Sequence, residues 1–277
     1  MRHFFRRATA PFVPLALLLP LLFTACSQEP ESETAGASQD SPAAADCRLV
    51  MGWDSWPPYQ YRNPQGEVAG LDIDIARAAA AAGGCEIDFV DGNWMDMLNR
   101  LRDGDVDLLA GATPTPGREE FAVFTEPYRS ESFAVFTLAD NAQIRATETL
   151  AELFDSEARI GTVAEYYYGE EIYALMDVAA AAGRLREVEV SEDNYQDLLN
   201  GEIDAFLDDP FVASSILRSR GWGERIVATG LNTATGQVSF MLSRQSVTPQ
   251  VIQRFGDGMN RIRENGELAA ILEEYRK

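Results

Sequence analysis

Residues 111–120 read GATPTPGREE and follow an acidic and apolar run, DGDVDLLA. Arg118 therefore falls just past a buried-strand pattern, at a helix start behind two Thr-Pro steps and a glycine. The prolines stiffen that turn. Carboxylates stand at comparable strand ends: Asp54 closes CRLVMGWD, and Asp208 and Asp209 close IDAFLDD. Glu165 follows the run ARIGTVA. The only histidine is His3, close to the N-terminus. Once a leader is removed, Ser-His-Asp and Cys-His nucleophilic catalysis and every His-bearing metal site are excluded. Neither a metal nor a cofactor is expected.

The elements that must position these residues alternate along the chain. CRLVMGWD, CEIDFVDG and VDLLAGA read as strands, separated by LDIDIARAAAAA and by NWMDMLNRLRDG. The first of these separators has helix-forming composition and stops at Gly83-Gly84; the second carries Trp94, Met97, Leu98 and Leu101 at helical spacing. FAVFTEPY and SFAVFTLA are further β-type runs, and a new strand–helix series starts at ARIGTVAEYYYG and reaches IDAFLDD. LNTATGQVSFMLS precedes a long amphipathic C-terminal region. Strand–helix–strand repetition with short connections indicates an α/β fold, and its reuse in the second half suggests two lobes of similar size.

Before this region the composition differs. Arg2, Arg6 and Arg7 precede the apolar stretch Pro11 to Phe23, which is too short to span a bilayer and reads as a signal peptide over residues 1–25. The Phe-Thr-Ala-Cys ending resembles a bacterial lipobox, which would make Cys26 the lipidated first residue of the mature protein. Residues 26–46 are then the lipidated cysteine and a linker without aromatic residues or Val, Ile and Leu, too polar to fold. The whole chain holds 23 basic and 44 acidic residues. Loss of the three leader arginines leaves 20 basic residues against those 44, a net charge of −24. Nucleic acid, which needs a basic face, is excluded as a partner. Cys47 and Cys85 open two strand-like runs. If those strands are parallel neighbours, their first residues come within bridging distance, and in an exported protein a disulfide is expected over two free thiols.

Three linked blocks carry a resemblance: GWDSWPPYQYRNPQGEVAGLDIDIA, then W-x-x-x-L-x-x-L-x-x-G-D-V-D-L, then TPTPGREEFAVFTEPY. In this order they resemble the bacterial family 3 extracellular solute-binding proteins, amino-acid receptors of ABC importers, from about Cys47 to Lys277. The resemblance implies a two-lobed periplasmic binding protein type II fold, hinged by two crossings near Leu138–Asn141 and Gly230–Thr235. Lobe 1 is expected over 47–138 plus 234–277, and lobe 2 over 139–233. A ligand enclosed between lobes agrees with the general placement of sites at the carboxyl ends of strands. It also implies a monomer outside the cytoplasm, held to a membrane by its N-terminal lipid and serving an ABC permease.

Site roles follow from the same resemblance. Arg118 falls where these proteins hold a ligand α-carboxylate by two parallel charge-assisted hydrogen bonds. Gly111 and Thr113 match positions that supply backbone and hydroxyl bonds, and Trp56 matches an aromatic that covers the ligand. Trp53 and Tyr59 share that work or pack the core. Asp209 aligns with the carboxylate that receives the α-ammonium, with Asp208 as the adjacent alternative, and Asp54 with a side-chain-reading acid. Glu165 replaces the first glycine of a Gly-Tyr-x-Tyr-Gly pattern whose Tyr166 faces the ligand or packs. A carboxylate there either points away or reads a cationic part of the ligand, since it would repel a bound carboxylate. Asp54, Glu165 and Asp209 set against Arg118 suggest a polar or cationic amino acid or a related amine. Two other readings are a dehydratase on the same fold, with Glu165 or Asp209 as general acid, and a sensory or accessory role without transport.

Overall fold

The computed structural model describes residues 47–275. The leader, Cys26 and the linker lie outside the described residues. β1 (Cys47–Trp53) passes through the small hairpin β2 (Tyr61–Arg62) and β3 (Val68–Ala69) into α1 (Leu71–Gly83). That helix ends, as its sequence demands, on a glycine in the left-handed region, Gly84 at φ 70°. β4 (Cys85–Asp91) then returns parallel to β1, in unbroken register from Cys47↔Cys85 to Trp53↔Asp91. This alignment puts the two cysteine Cα atoms 4.5 Å apart, and the Cys47–Cys85 disulfide forms.

α2 (Trp94–Asp103) buries Met97, Leu98 and Leu101 and leads to β5 (Leu108–Ala112). α3 (Pro116–Glu119), β6 (Ala122–Phe124) and β7 (Arg129–Leu138) follow. After α4 (Ala142–Arg145) and α5 (Leu150–Asp155) the chain builds β8 (Ile160–Val163), α6 (Glu170–Ala181), β9 (Leu185–Val188), α7 (Ser191–Asn200) and β10 (Ala205–Asp208). α8 (Pro210–Arg220), β11 (Ile226–Ser243), α9 (Pro249–Glu264) and α10 (Glu267–Glu274) complete it. The sequence reading starts β11 only after Gly230; the strand begins earlier because residues from Ile226 pair with β7. The C-terminal amphipathic region divides at Asn265, since Gly266 adopts φ 84° and starts a new helix.

The strand order is β4-β1-β5-β11-β7-β10-β8-β9, with β6 also on β11. β1, β4 and β5 are mutually parallel at one end, and β8, β9 and β10 at the other. β7 and β11 join the two groups as an antiparallel ribbon, from Ile226↔Leu138 to Val238↔Arg129. Each parallel group has its helices packed over apolar strands, as parallel sheets require. Phe240 is fully buried between Tyr128, stacked at 4.5 Å, and Phe255, edge-on at 5.3 Å. On the other side Phe206 is buried between Phe136 and Tyr195. Burying each such ring contributes about 1.5–3 kcal/mol. The ribbon is therefore anchored in core at both ends.

Candidate functional site

Thr115 caps α3, its Oγ1 accepting from the Arg118 amide at 3.3 Å, and Pro116 occupies the first helical turn. Proline is favoured there because its missing N–H is not needed. The cap fixes the Arg118 backbone beside the carboxyl end of β5. Its Nη1 donates to the Thr113 carbonyl at 3.1 Å, and its Nη2 to the Glu165 carbonyl at 2.7 Å. The guanidinium lies over the Trp94 ring, 5.4 Å from its centre. Among the described residues Arg118 makes no ion pair. Burial lowers its pKa, opposed by Tyr173, Glu131 and Glu165.

Arg118 borders a cavity of about 30 Å³, room for roughly two water molecules. Asp54, Trp56, Gly111, Thr113 and Tyr166 line it as well, so six of the expected site residues meet in one place. Gln60, Trp94, Ala110, Glu131, Phe133 and Tyr167 complete the wall. Two buried polar atoms on this wall, Trp56 Nε1 and Thr113 Oγ1, have no hydrogen-bond partner among the described residues. Such groups are costly to leave unsatisfied. Gly111 needs to be glycine: its φ is 69°, and a Cβ would come within 3.0 Å of Arg129 Nη2 and 3.3 Å of Asp72 Oδ2. Its N–H donates to the Tyr128 hydroxyl at 2.9 Å. That N–H is thus engaged within the protein.

Two expected acids are not on the cavity wall. Glu165 is exposed, and it is the one non-glycine described residue with positive φ, at 62°. What it brings to the site is its carbonyl, which accepts from Arg118 and from Trp94 Nε1 at 3.0 Å. Asp209 instead caps α8, Oδ1 accepting from Phe211 N at 2.7 Å and Val212 N at 3.2 Å, while Oδ2 accepts from Tyr59 at 3.3 Å. Its neighbour Asp208 accepts from Ser191 at 2.8 Å, Tyr195 at 2.7 Å and the Asp209 amide at 2.9 Å. Tyr59 is thus bound to Asp209, and Trp53 packs beneath Arg62, 5.2 Å from its ring centre. The acid that a dehydratase would draw from Glu165 or Asp209 does not reach the cavity wall.

Beneath the cavity lies a second arginine that sequence reasoning missed. Arg129 is clamped by Asp72 through Nε at 3.1 Å and Nη2 at 3.2 Å, and its Nη1 donates to Glu131 at 3.3 Å. All three side chains are at most 6% exposed. Its guanidinium sits 3.9 Å above the Tyr59 ring. Burial lowers the Arg129 pKa, but Asp72, Tyr128 and Glu131 outweigh it and hold it well above the ordinary value. The same burial pushes Glu131 up to about 7, with Arg129 opposing and Asp209 and Asp72 adding. Asp54 also rises to about 7 by burial, against a hydrogen bond from the Trp94 backbone. Asp208 reaches about 7 by burial, against its bonds from Tyr195 and Ser191. A signal for Glu131 was present: it shares a strand face with Arg129 and with Phe133 and Val135, which are buried. Trp94 follows the Asn93 cap at the first turn after β4, where helix starts face strand ends. The described residues contain no cluster suited to a metal ion.

The sequence pattern of the bacterial extracellular solute-binding proteins, family 3, matches residues 49–277. The chain belongs to that family. This solute-binding protein is 22% identical over 261 residues to a probable histidine-binding protein of Neisseria gonorrhoeae, covering 91% of this chain and 92% of the relative. It is 24% identical over 239 residues to the arginine-binding periplasmic protein of Mannheimia haemolytica, covering 82% and 90%. Among solved structures, an ancestral arginine-binding protein bound to arginine superposes with a TM-score of 0.71 at 21% identity, covering 82% of this chain and 97% of that one. The fold is the two-lobed type II periplasmic binding fold, and the solute-binding protein has no described helix long and apolar enough to cross a membrane.

Proposed function

We propose that this solute-binding protein captures an amino acid between its lobes and delivers it to an ABC permease. The observation that carries the reading is Arg118: a half-buried guanidinium on the cavity wall, bonded only to carbonyls and beside two unsatisfied polar atoms. A ligand carboxylate would replace the Glu165 carbonyl with two charge-assisted bonds. Thr113 Oγ1 and Trp56 Nε1 stand ready for the same molecule. The cavity is too small for an amino acid as it stands, so entry requires the lobes to part and the Arg118–Glu165 contact to break. Closure on the ligand then adds its contacts to both lobes to the bonds that already bridge them, from Arg118 and Trp94 to Glu165 and from Tyr59 to Asp209, which shifts the open–closed balance.

The lobes are 47–138 plus 234–277, and 139–233. This division puts one crossing at the end of β7 and the other where the β7–β11 register shifts between Ala234 and Gly236. The α-ammonium would be received from the side of Asp208 and Asp209. Cys26 carries the lipid that tethers a monomer outside the cytoplasm. The relatives named above for arginine and histidine binding support an amino-acid ligand. Titration calorimetry across the amino acids tests it: micromolar or tighter binding of at least one is expected, and no heat from any would overturn the reading.

A further inference from the structure

Bonds between the protein's own groups join the two lobes outside the cavity as well as on its wall. Asn93 caps α2, its Oδ1 accepting from the Asp96 amide at 2.8 Å, and this leaves its Nδ2 to donate to Glu189 at 3.1 Å. Glu189 lies just past the edge strand β9, on the other lobe. Trp94, next in the chain, donates from Nε1 to the Glu165 carbonyl at 3.0 Å. Tyr166 then sets its ring edge-on to Trp56 and Trp94, at 5.8 and 6.4 Å. Glu165 holds φ 62°, a conformation that persists at a residue with a Cβ only where neighbours fix it. Its neighbours here are Trp94 and Arg118, both from the opposite lobe. The closed form is thus held by the protein's own donors and acceptors. Neither Asn93 nor Glu189 lines the cavity, so a captured molecule does not consume their bond.

We propose that the Asn93–Glu189 bond, with the Trp94–Glu165 bond beside it, is a latch that holds the lobes together whether or not the cleft is filled, and that sets how often the cleft opens. This rests on the reading of capture between lobes, but on no particular ligand. A bond that stands in the closed form before and after capture favours both equally. It therefore leaves affinity nearly unchanged while slowing entry and release alike. The closed form is then the resting form, and capture waits on spontaneous opening. Asn93 serves two ends at once: its oxygen starts the helix and its amide nitrogen reaches the far lobe.

The test needs no ligand. The protein is unfolded and refolded with its disulfide intact to strip any bound molecule. Small-angle X-ray scattering then gives the ratio of open to closed lobes, and hydrogen exchange at the Trp94 indole reports each opening. The parent should be mainly closed, with a slowly exchanging indole. Asn93→Asp keeps the helix cap, since either residue serves there, but it loses the donor and sets two carboxylates against each other. The open-to-closed ratio should rise roughly 2- to 10-fold. Glu189→Ala should act in the same direction without touching the cap. Joining Asn93→Asp to Glu189→Gln supplies a donor and an acceptor with their places exchanged, and should return the ratio to that of the parent. An effect acting only through the fold of α2 would not be rescued in this way. A parent that is mainly open overturns the proposal, as do single variants no more open than the parent, or a double variant as open as Asn93→Asp alone. Each of these results leaves amino-acid capture standing; that reading fails on calorimetry that finds no amino acid bound.

Discussion

One arginine lines the cavity and another stands behind its wall, bound to Glu131, and the two are held in opposite ways. Arg129 has a carboxylate on two of its nitrogens, a second acid on the third and an aromatic ring beneath. Arg118 has two backbone carbonyls and the face of Trp94. The Arg129 side chain is buried and Arg118 half-buried; the Arg129 pKa is raised well above the ordinary value by its acids, and that of Arg118 is lowered by desolvation. An arginine that builds the fold arrives with its counter-ions. On the proposed reading, Arg118 keeps its counter-ion position open to exchange with a ligand carboxylate. Carbonyls can hold such a group in place without neutralising it.

The comparison breaks most readily at Asp72. Asp72→Ala strands the Arg129 charge in the interior and should cost about 3–5 kcal/mol of stability, seen as a lower midpoint in chemical denaturation. Arg118→Ala should do the reverse, weakening amino-acid binding by about 2–5 kcal/mol. Its stability should stay within about 1 kcal/mol of the parent, measured on the same samples. Equal stability losses in both variants would erase the distinction. Arg118→Lys should not restore binding, since a point charge lacks the paired geometry.

A pH series sharpens the same contrast. Glu131, Asp54 and Asp208 each titrate near 7 when folded, against about 4 in an unfolded chain. The folded protein therefore holds protons that the unfolded chain has released. Stability contributed by these acids is full below pH about 4 and is lost as pH rises towards 7. Ligand-free protein should melt at a lower temperature at pH 8 than at pH 5.5, and Glu131→Gln should flatten the slope. The smallest effect is expected at Trp94. Trp94→Phe removes one of two donors to the Glu165 carbonyl and should destabilise the ligand-free form by about 0.5–1.5 kcal/mol, with little change in amino-acid affinity.

Much of the architecture was legible in the chain. The alternation of strands and helices, the glycine stop of α1 and the Thr115-Pro116 start of α3 are local matters, settled by residues a few positions apart. The pairing of Cys47 with Cys85 needed only that two strands lie side by side, and they do. Asp54, Trp56, Gly111, Thr113, Arg118 and Tyr166 meet at one cavity because each follows or ends a strand at the same edge. Glu131 was missed because it lies inside a strand, where a charge is easily read as an outward-facing residue, whereas its face of β7 points into the protein.

The sequence by itself determined which elements form, which cysteines pair and which arginine stands at a strand end. Only the tertiary structure decided which acids the cavity sees. At Glu165 the decision lies in one backbone angle: a left-handed φ presents the carbonyl to Arg118 and leaves the carboxylate in solvent. At Asp209 it lies in the helix that follows, whose first amides claim the side chain as a cap. Residue type states what a side chain can bind; its backbone angles and neighbours state which partner it meets.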